Sequence, residues 1–263
     1  MRVNKTIRIM MAVLVAITVL AVLFGTAYHV AGPRLSFSGR GQDYGENERY
    51  SFDELSYDEV TSIKIDADVF NLSIRQGEAF SVTYEGASRL KPKVSIDGSE
   101  LYIRQSNDGF HISNLKQLFG DSGDRKCSLT VTVPSDHTLY GMDVSLDLGS
   151  IELEELSMSD LKLEANLGNV ELEQVNADAM SIDADMGNVE LYDMTFKNME
   201  ASVDMGNIEV HSLTDLSGYR IELNADLGGV SCNGSSKGSS YHSPGTDGSV
   251  TIEADMGNIK LDY

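Results

Sequence analysis

Two rows of polar side chains recur in this sequence at a spacing that could bring like charges side by side. Six glycines, Gly149, Gly168, Gly187, Gly206, Gly228 and Gly257, follow one another at intervals of 19, 19, 19, 22 and 29 residues. Two residues before each stand Asp147, Asn166, Asp185, Asp204, Asp226 and Asp255; three residues after each stand Glu152, Glu171, Glu190, Glu209, Ser231 and Lys260. Carboxylates held about 4.8 Å apart, the distance between neighbouring strands, repel by roughly 0.9 kcal/mol in bulk water and several-fold more near protein. Such rows need compensation. A bound cation would supply it, and Ca²⁺ suits carboxylate oxygens, which makes Asp147, Asp185, Asp204, Asp226 and Asp255 a candidate cation ladder. Alternatively the Asp side chains, with Asn166 uncharged among them, accept hydrogen bonds from turn N–H groups, while water and counterions screen the Glu row. The glycine-rich nonapeptide of calcium-binding β-rolls is absent, which favours the explanation without a bound cation.

Other chemistry is sparse. The five histidines, His29, His111, His137, His211 and His242, form no close ligand pair. "GSSKG" at 234–238 fits GxSxG with Ser236 as nucleophile, but that motif needs a strand–turn–helix elbow. It lies instead in the Gly/Ser-rich stretch "CNGSSKGSSYHSPGTDG", which reads as a solvated loop bulging from one coil, where Tyr241 and His242 could touch a ligand. Cys127 and Cys232 are too few and too far apart for a zinc site, and whether they pair is left open. No catalytic residue and no cofactor is assigned.

The elements that carry these rows are strands. In "LKLEANLGNVELEQV", Leu161, Leu163, Ala165 and Leu167 alternate with Lys162, Glu164 and Asn166, and after Gly168–Asn169 the alternation resumes. Period two puts one face in a core and the other in water. Gly-Asn interrupts it where the backbone turns, both residues tolerating positive φ. Two short strands cannot bury their own apolar face, but stacked coils can. A fixed period near 20 therefore predicts an all-β fold, a parallel β-solenoid of about six 19-residue coils. In it Leu148, Leu167, Met186, Met205, Leu227 and Met256 form an internal stripe, with Met as core filler and not as a sulfur ligand.

Residues 60–140 read as an irregular β cap and first coils, and 141–263 as the repetitive solenoid. Strands are expected at "VTSIKIDAD", "FNLSIRQ", "FSVTYEG", "KVSIDG", "ELYIRQS" and "CSLTVTVPS", and "DADVFNLSIRQG" resembles a decayed coil. "HISNLKQLFG" suggests a short helix from Ser113 to Gly120 whose Ile112, Leu115 and Phe119 pack over the solenoid end. The last coil runs to Tyr263, where an open edge would invite self-association; Lys260, breaking the Glu row, would guard that edge or pair with an acidic row of a neighbouring molecule.

The first 32 residues carry Arg2, Lys5 and Arg8 and no acid, whereas the whole chain has a net charge of −21. Residues 1–8 read as a cytoplasmic tail and 9–31 as an uncleaved transmembrane signal anchor, the alternative being a cleaved signal peptide. Residues 32–59 form a polar spacer, and the positive-inside rule sends the remainder outward. So acidic a surface excludes nucleic acid as partner.

The segment "TVTVPSDHTLYGMDVSLDLGSIEL" at 130–153 and the "DMGNVEL"-type coils after it resemble the bacterial "putative adhesin" family of unknown function that includes LiaG-like envelope proteins. The likeness covers roughly residues 60–263 and the anchor layout. It implies a β-solenoid outside a bacterial membrane, associated with envelope-stress or regulatory gene sets, and no known reaction. Together these readings point to a single-pass, non-enzymatic binding, adhesion or structural module of the cell envelope, with an unknown envelope protein or glycan as partner. The rival is a carbohydrate-active β-helix enzyme, which should show a groove where acid and base side chains converge.

Overall fold

The computed structural model describes residues 47–263 apart from 54, 106–126 and 138. The expected tail, anchor and most of the spacer, and the expected helix with Ser113 and Gly120, lie outside the described residues. Among those described, no helix is long and apolar enough to cross a membrane.

Every expected strand forms, and coils stack as the glycine spacing requires. One sheet, called A here, runs in the order β7 (Ser128–Pro134), β3 (Asn71–Gly77), β9 (Ile151–Glu154), β11 (Val170–Glu173), β13 (Val189–Met205, first part), β14 (Ile208–Ser212), β20 (Ile259–Asp262), β16 (Val230–Cys232). The other, sheet B, runs β6 (Glu100–Arg104), β2 (Ser62–Val69), β8 (Leu139–Leu148), β10 (Ser157–Leu167), β12 (Asn176–Met186), β13 (second part), β19 (Ser249–Met256), β15 (Arg220–Leu227). Both orders are parallel throughout and both contain eight rungs, where the sequence suggests about six. At roughly 4.8 Å per rung the stack is about 34 Å long. Its interior is continuous: Leu163, Ile182, Ala201 and Ile252 of successive rungs are all buried, as are Leu172, Leu191, Val210 and Leu261 on the other side.

The glycines superpose in a column. A Cβ on Gly168 would overlap the carbonyl oxygen of Gly149, one on Gly187 that of Gly168, one on Gly206 that of Gly187, one on Gly257 that of Gly206 and one on Gly228 that of Gly257. Gly149, Gly168, Gly187 and Gly206 also have φ between +132 and +156, which side chains disfavour. The neighbouring asparagines do not share this role. They form a hydrogen-bonded ladder instead: the side-chain oxygen of Asn169 accepts from the Asn188 N–H (3.0 Å), Asn188 from Asn207 (3.0 Å), Asn207 from Asn258 (2.9 Å) and Asn258 from Gly229 (3.0 Å). Positive φ outside glycine occurs, among the described residues, just after the sheet A strands, at Glu155, Gln174, Asp193 and Asn233.

Four expectations fail. Residues 47–59 are not spacer, because β1 (Asn47–Ser51) pairs antiparallel with β4 (Ser81–Ala87) and Phe52 and Tyr57 are buried. The stripe at Leu167, Met186, Met205, Leu227 and Met256 faces water, 39–49% exposed, because two successive residues point outward before each glycine corner; Leu148 is half-buried. The final coil is not the end of the rod, since β19 and β20 lie between β13–β14 and β15–β16. The Gly/Ser-rich stretch is not a mere loop: β17 (Ser235–Gly238) and β18 (Ser240–Ser243) run antiparallel on β16 and β15 and cap the outermost rung. The other end repeats this device, with β2–β3 as the second rung and β4 and β5 (Lys93–Asp97) antiparallel on β7 and β6.

Gly187→Ala should lower stability by about 3 kcal/mol through backbone overlap and unfavourable φ, whereas Asn188→Ala should cost about 1 kcal/mol of ladder hydrogen bonding. Urea midpoints of the two variants check both the order and the size.

Candidate functional site

The outer face of sheet B carries a trough of about 650 Å³ running across the rungs. Its floor follows one row of the register: Ser62, Gly141, Asp160, Ala179, Asn198 and Ser249, with Glu100 at one end and Arg220 at the other. The floor is low because most of these side chains are short. In an adjacent row stand Tyr102, Lys64, Asp143, Lys162, Ser181, Glu200 and Thr251. Lys64 donates to Asp143 at 2.6 Å, which raises the lysine pKa, and Lys162 pairs with Glu164 at 2.7 Å. Near the Glu100 end two aromatic side chains are exposed, Tyr102 at 37% and Tyr140, beside Gly141, at 62%. Charged and hydroxyl side chains thus flank an open channel that crosses the rungs.

The expected Asp row exists. In stack order it reads Asp68, Asp147, Asn166, Asp185, Asp204, Asp255, Asp226, fixed by paired residues on either side such as Ala184 with Val203 and Met186 with Met205. Asn166 relieves one repulsion by donating to Asp147 Oδ1 at 2.9 Å. Partial burial, followed by the nearby charges of Asp68 and Asp66, raises the pKa of Asp147. Among the described residues no three His, Cys, Asp or Glu side chains gather closely enough to hold a metal ion.

The Glu row also exists on sheet A, as Glu152, Glu171, Glu190, Glu209, Lys260, Ser231. Lys260 neither guards an edge nor stands free. It pairs with Glu209 Oε1 at 2.8 Å and with Asp262 at 3.2 Å inside its own chain. A small cluster missed in the sequence surrounds it: His211 lies 2.9 Å from Glu209 and stacks on Tyr192 at 5.3 Å. The nineteen-residue interval from Tyr192 to His211 is the signal that could have revealed it. Lys260 and then His211 pull the Glu209 pKa down.

The remaining candidates disperse. Ser236 lies on the exposed capping strand β17, followed by β18 and no helix. Tyr241 packs partly against the core and takes Lys237 over its ring at 5.0 Å, while His242 stands 3.9 Å from Glu222. Cys127 and Cys232 are buried free thiols at opposite ends of the stack, far beyond disulfide reach within one chain.

A family model, Toastrack DUF4097, matches residues 60–263. The chain belongs to the Toastrack DUF4097 family. No curated protein matches its sequence. Among solved structures this Toastrack chain is similar to a putative cell adhesion protein from Clostridium sporogenes, at 14% identity over 82% of this chain and 98% of that one, with a TM-score of 0.49. It is also similar to a putative adhesin from Bacteroides fragilis, at 14% identity over 82% and 97% of the two chains, with a TM-score of 0.43. A putative lipid binding protein from Parabacteroides distasonis aligns at 13% identity over 82% and 97%, with a TM-score of 0.33.

Asp147 and Glu209 act on Toastrack stability in opposite senses. Asp147 has a folded-state pKa above its unfolded value, so its contribution is most favourable at low pH and is lost as pH rises through the folded value. Asp147→Asn should therefore stabilise at pH 7 by about 0.5 kcal/mol after solvent screening, raising the melting temperature by roughly 1–2 °C, and do nothing at pH 3. Glu209 has a lowered pKa, so its contribution is present above the unfolded value and disappears as pH falls through the folded one. Glu209→Gln should destabilise at pH 7 and converge on the parent protein in acid, as thermal melts across that range would show.

Proposed function

We propose that this chain is a non-enzymatic binding module of the bacterial cell envelope, tethered by its N-terminal apolar segment and displayed outside the membrane, whose trough on sheet B holds an extended envelope polymer. The envelope-stress association implied by the family resemblance belongs to the same proposal. The observation that carries the reading is the trough itself: it crosses successive rungs without interruption, so it offers one elongated open face along a single axis, the shape an extended polymer fills. Both lysines of the trough are neutralised, Lys64 by Asp143 on the next rung and Lys162 by Glu164 on its own strand.

The test is co-sedimentation of the full chain with purified cell-wall polymer. Ser181 is exposed beside the trough floor and Glu173 is exposed on sheet A. Ser181→Trp should weaken retention roughly tenfold, about 1.4 kcal/mol, and Glu173→Gln should leave it unchanged. Equal retention by both variants removes the trough from the reading, and release of soluble sugar fragments would make the chain an enzyme.

A further inference from the structure

The outward turn of the residues before each glycine gives three methionines a chemistry that burial would have denied them. Met186, Met205 and Met256 sit on three consecutive rungs, with Met186 paired to Met205 and Met205 to Met256 in the register of sheet B. They are 40%, 39% and 40% exposed, whereas Met142, Met158, Met180, Met194 and Met199 are buried. The run is bounded, because the flanking rungs place Leu167 and Leu227 in the same column. The adjoining column carries Asp185, Asp204 and Asp255, all exposed.

From this arrangement we infer that Met186, Met205 and Met256 form a binding site for one soft monovalent metal ion, Cu(I), coordinated by three thioether sulfurs. Thioethers are soft ligands that select Cu(I) over the hard divalent cations that prefer oxygen. The geometry allows convergence. Neighbouring strands are about 4.8 Å apart. Two sulfurs on one metal, at bonds of about 2.3 Å like those of thiolates to zinc, sit up to roughly 4.6 Å from each other. Met186 and Met256 start two strand spacings apart, about 9.6 Å, so each must lean inward by about 2.5 Å, a reach that three rotatable bonds between sulfur and backbone allow. Met205 stands in the centre, with Met186 and Met256 folding toward it from either side.

The aspartates have a separate part. Their carboxylates are poor partners for a soft ion, but a row of them makes a negative field that concentrates cations over the adjoining sulfurs. The site is independent of the trough, which lies on a different part of the rung. Its failure would leave the envelope-binding reading untouched, and the reverse holds too.

The test titrates Ag(I), an air-stable ion with the same preference for sulfur, into the full chain carrying ¹³C in its methionine methyl groups. Those signals report the thioethers whatever the buried Cys127 and Cys232 take up. The methyls of Met186, Met205 and Met256 should shift together and saturate at one equivalent beyond any bound by thiols. In a variant carrying Met186→Leu, Met205→Leu and Met256→Leu, which keeps side-chain volume, that equivalent should be lost. Removing ligands should cost at least the roughly 100-fold that even outer-sphere partners can contribute. An unchanged thermal melt would show that the variant still folds, and Met205→Leu alone, losing the central sulfur, gives the same reading if it does not. The inference is overturned if the three methyl signals stay in place while silver binds, or if the leucine variant takes up the ion as the parent protein does.

Discussion

The contact between the backbone of one glycine and the carbonyl oxygen of the next sets the rest of this structure. Gly149, Gly168, Gly187 and Gly206 approach so closely that no side chain fits between them. The approach can repeat only if every rung brings its corner back to the same place, hence the unbroken nineteen-residue interval over these rungs. Once the corners coincide, each residue has its positional equivalent above and below. Asparagines then hand hydrogen bonds along the stack, leucines meet leucines inside, and like charges must be tolerated outside. The aspartate row, the glutamate row and the methionine run are all products of that one repeat.

A stack of this kind has a weakness at its ends, where a parallel rung would offer a row of unpaired amides and carbonyls. Both ends are closed in the same way. The outermost rung on each side receives antiparallel strands, β4 and β5 at one end and β17 and β18 at the other. Reversing direction breaks the repeat, so a second molecule meets a different pattern from the one that built the rod.

Much of this is legible in the sequence. The glycine interval and the alternation of Leu161, Leu163 and Ala165 with polar residues give the coil, its strands and the two outer rows. What the alternation could not show is the place where it stops. Leu167 and its equivalents continue the period on paper, yet the chain is already turning toward the glycine, and the side chain swings out. Its sequence context marks Asn169 for tolerance of unusual φ, whereas its value lies in an amide that reaches the next rung. The spacings of 22 and 29 residues look like insertions in a regular series; nothing local reports that the longer one allows the chain to double back. The trough depends on that same long-range order, since Arg220 and Ser249 become neighbours only through it.

The threading of β19 and β20 between earlier rungs makes residues 249–262 a keystone. The rung formed by β15 and β16 touches the main stack in parallel register only through them, and otherwise hangs from a short connection of chain. Taking out that one segment would not shorten the rod by a single step. It would sever the whole distal cap, leaving two raw faces where the wedge had stood.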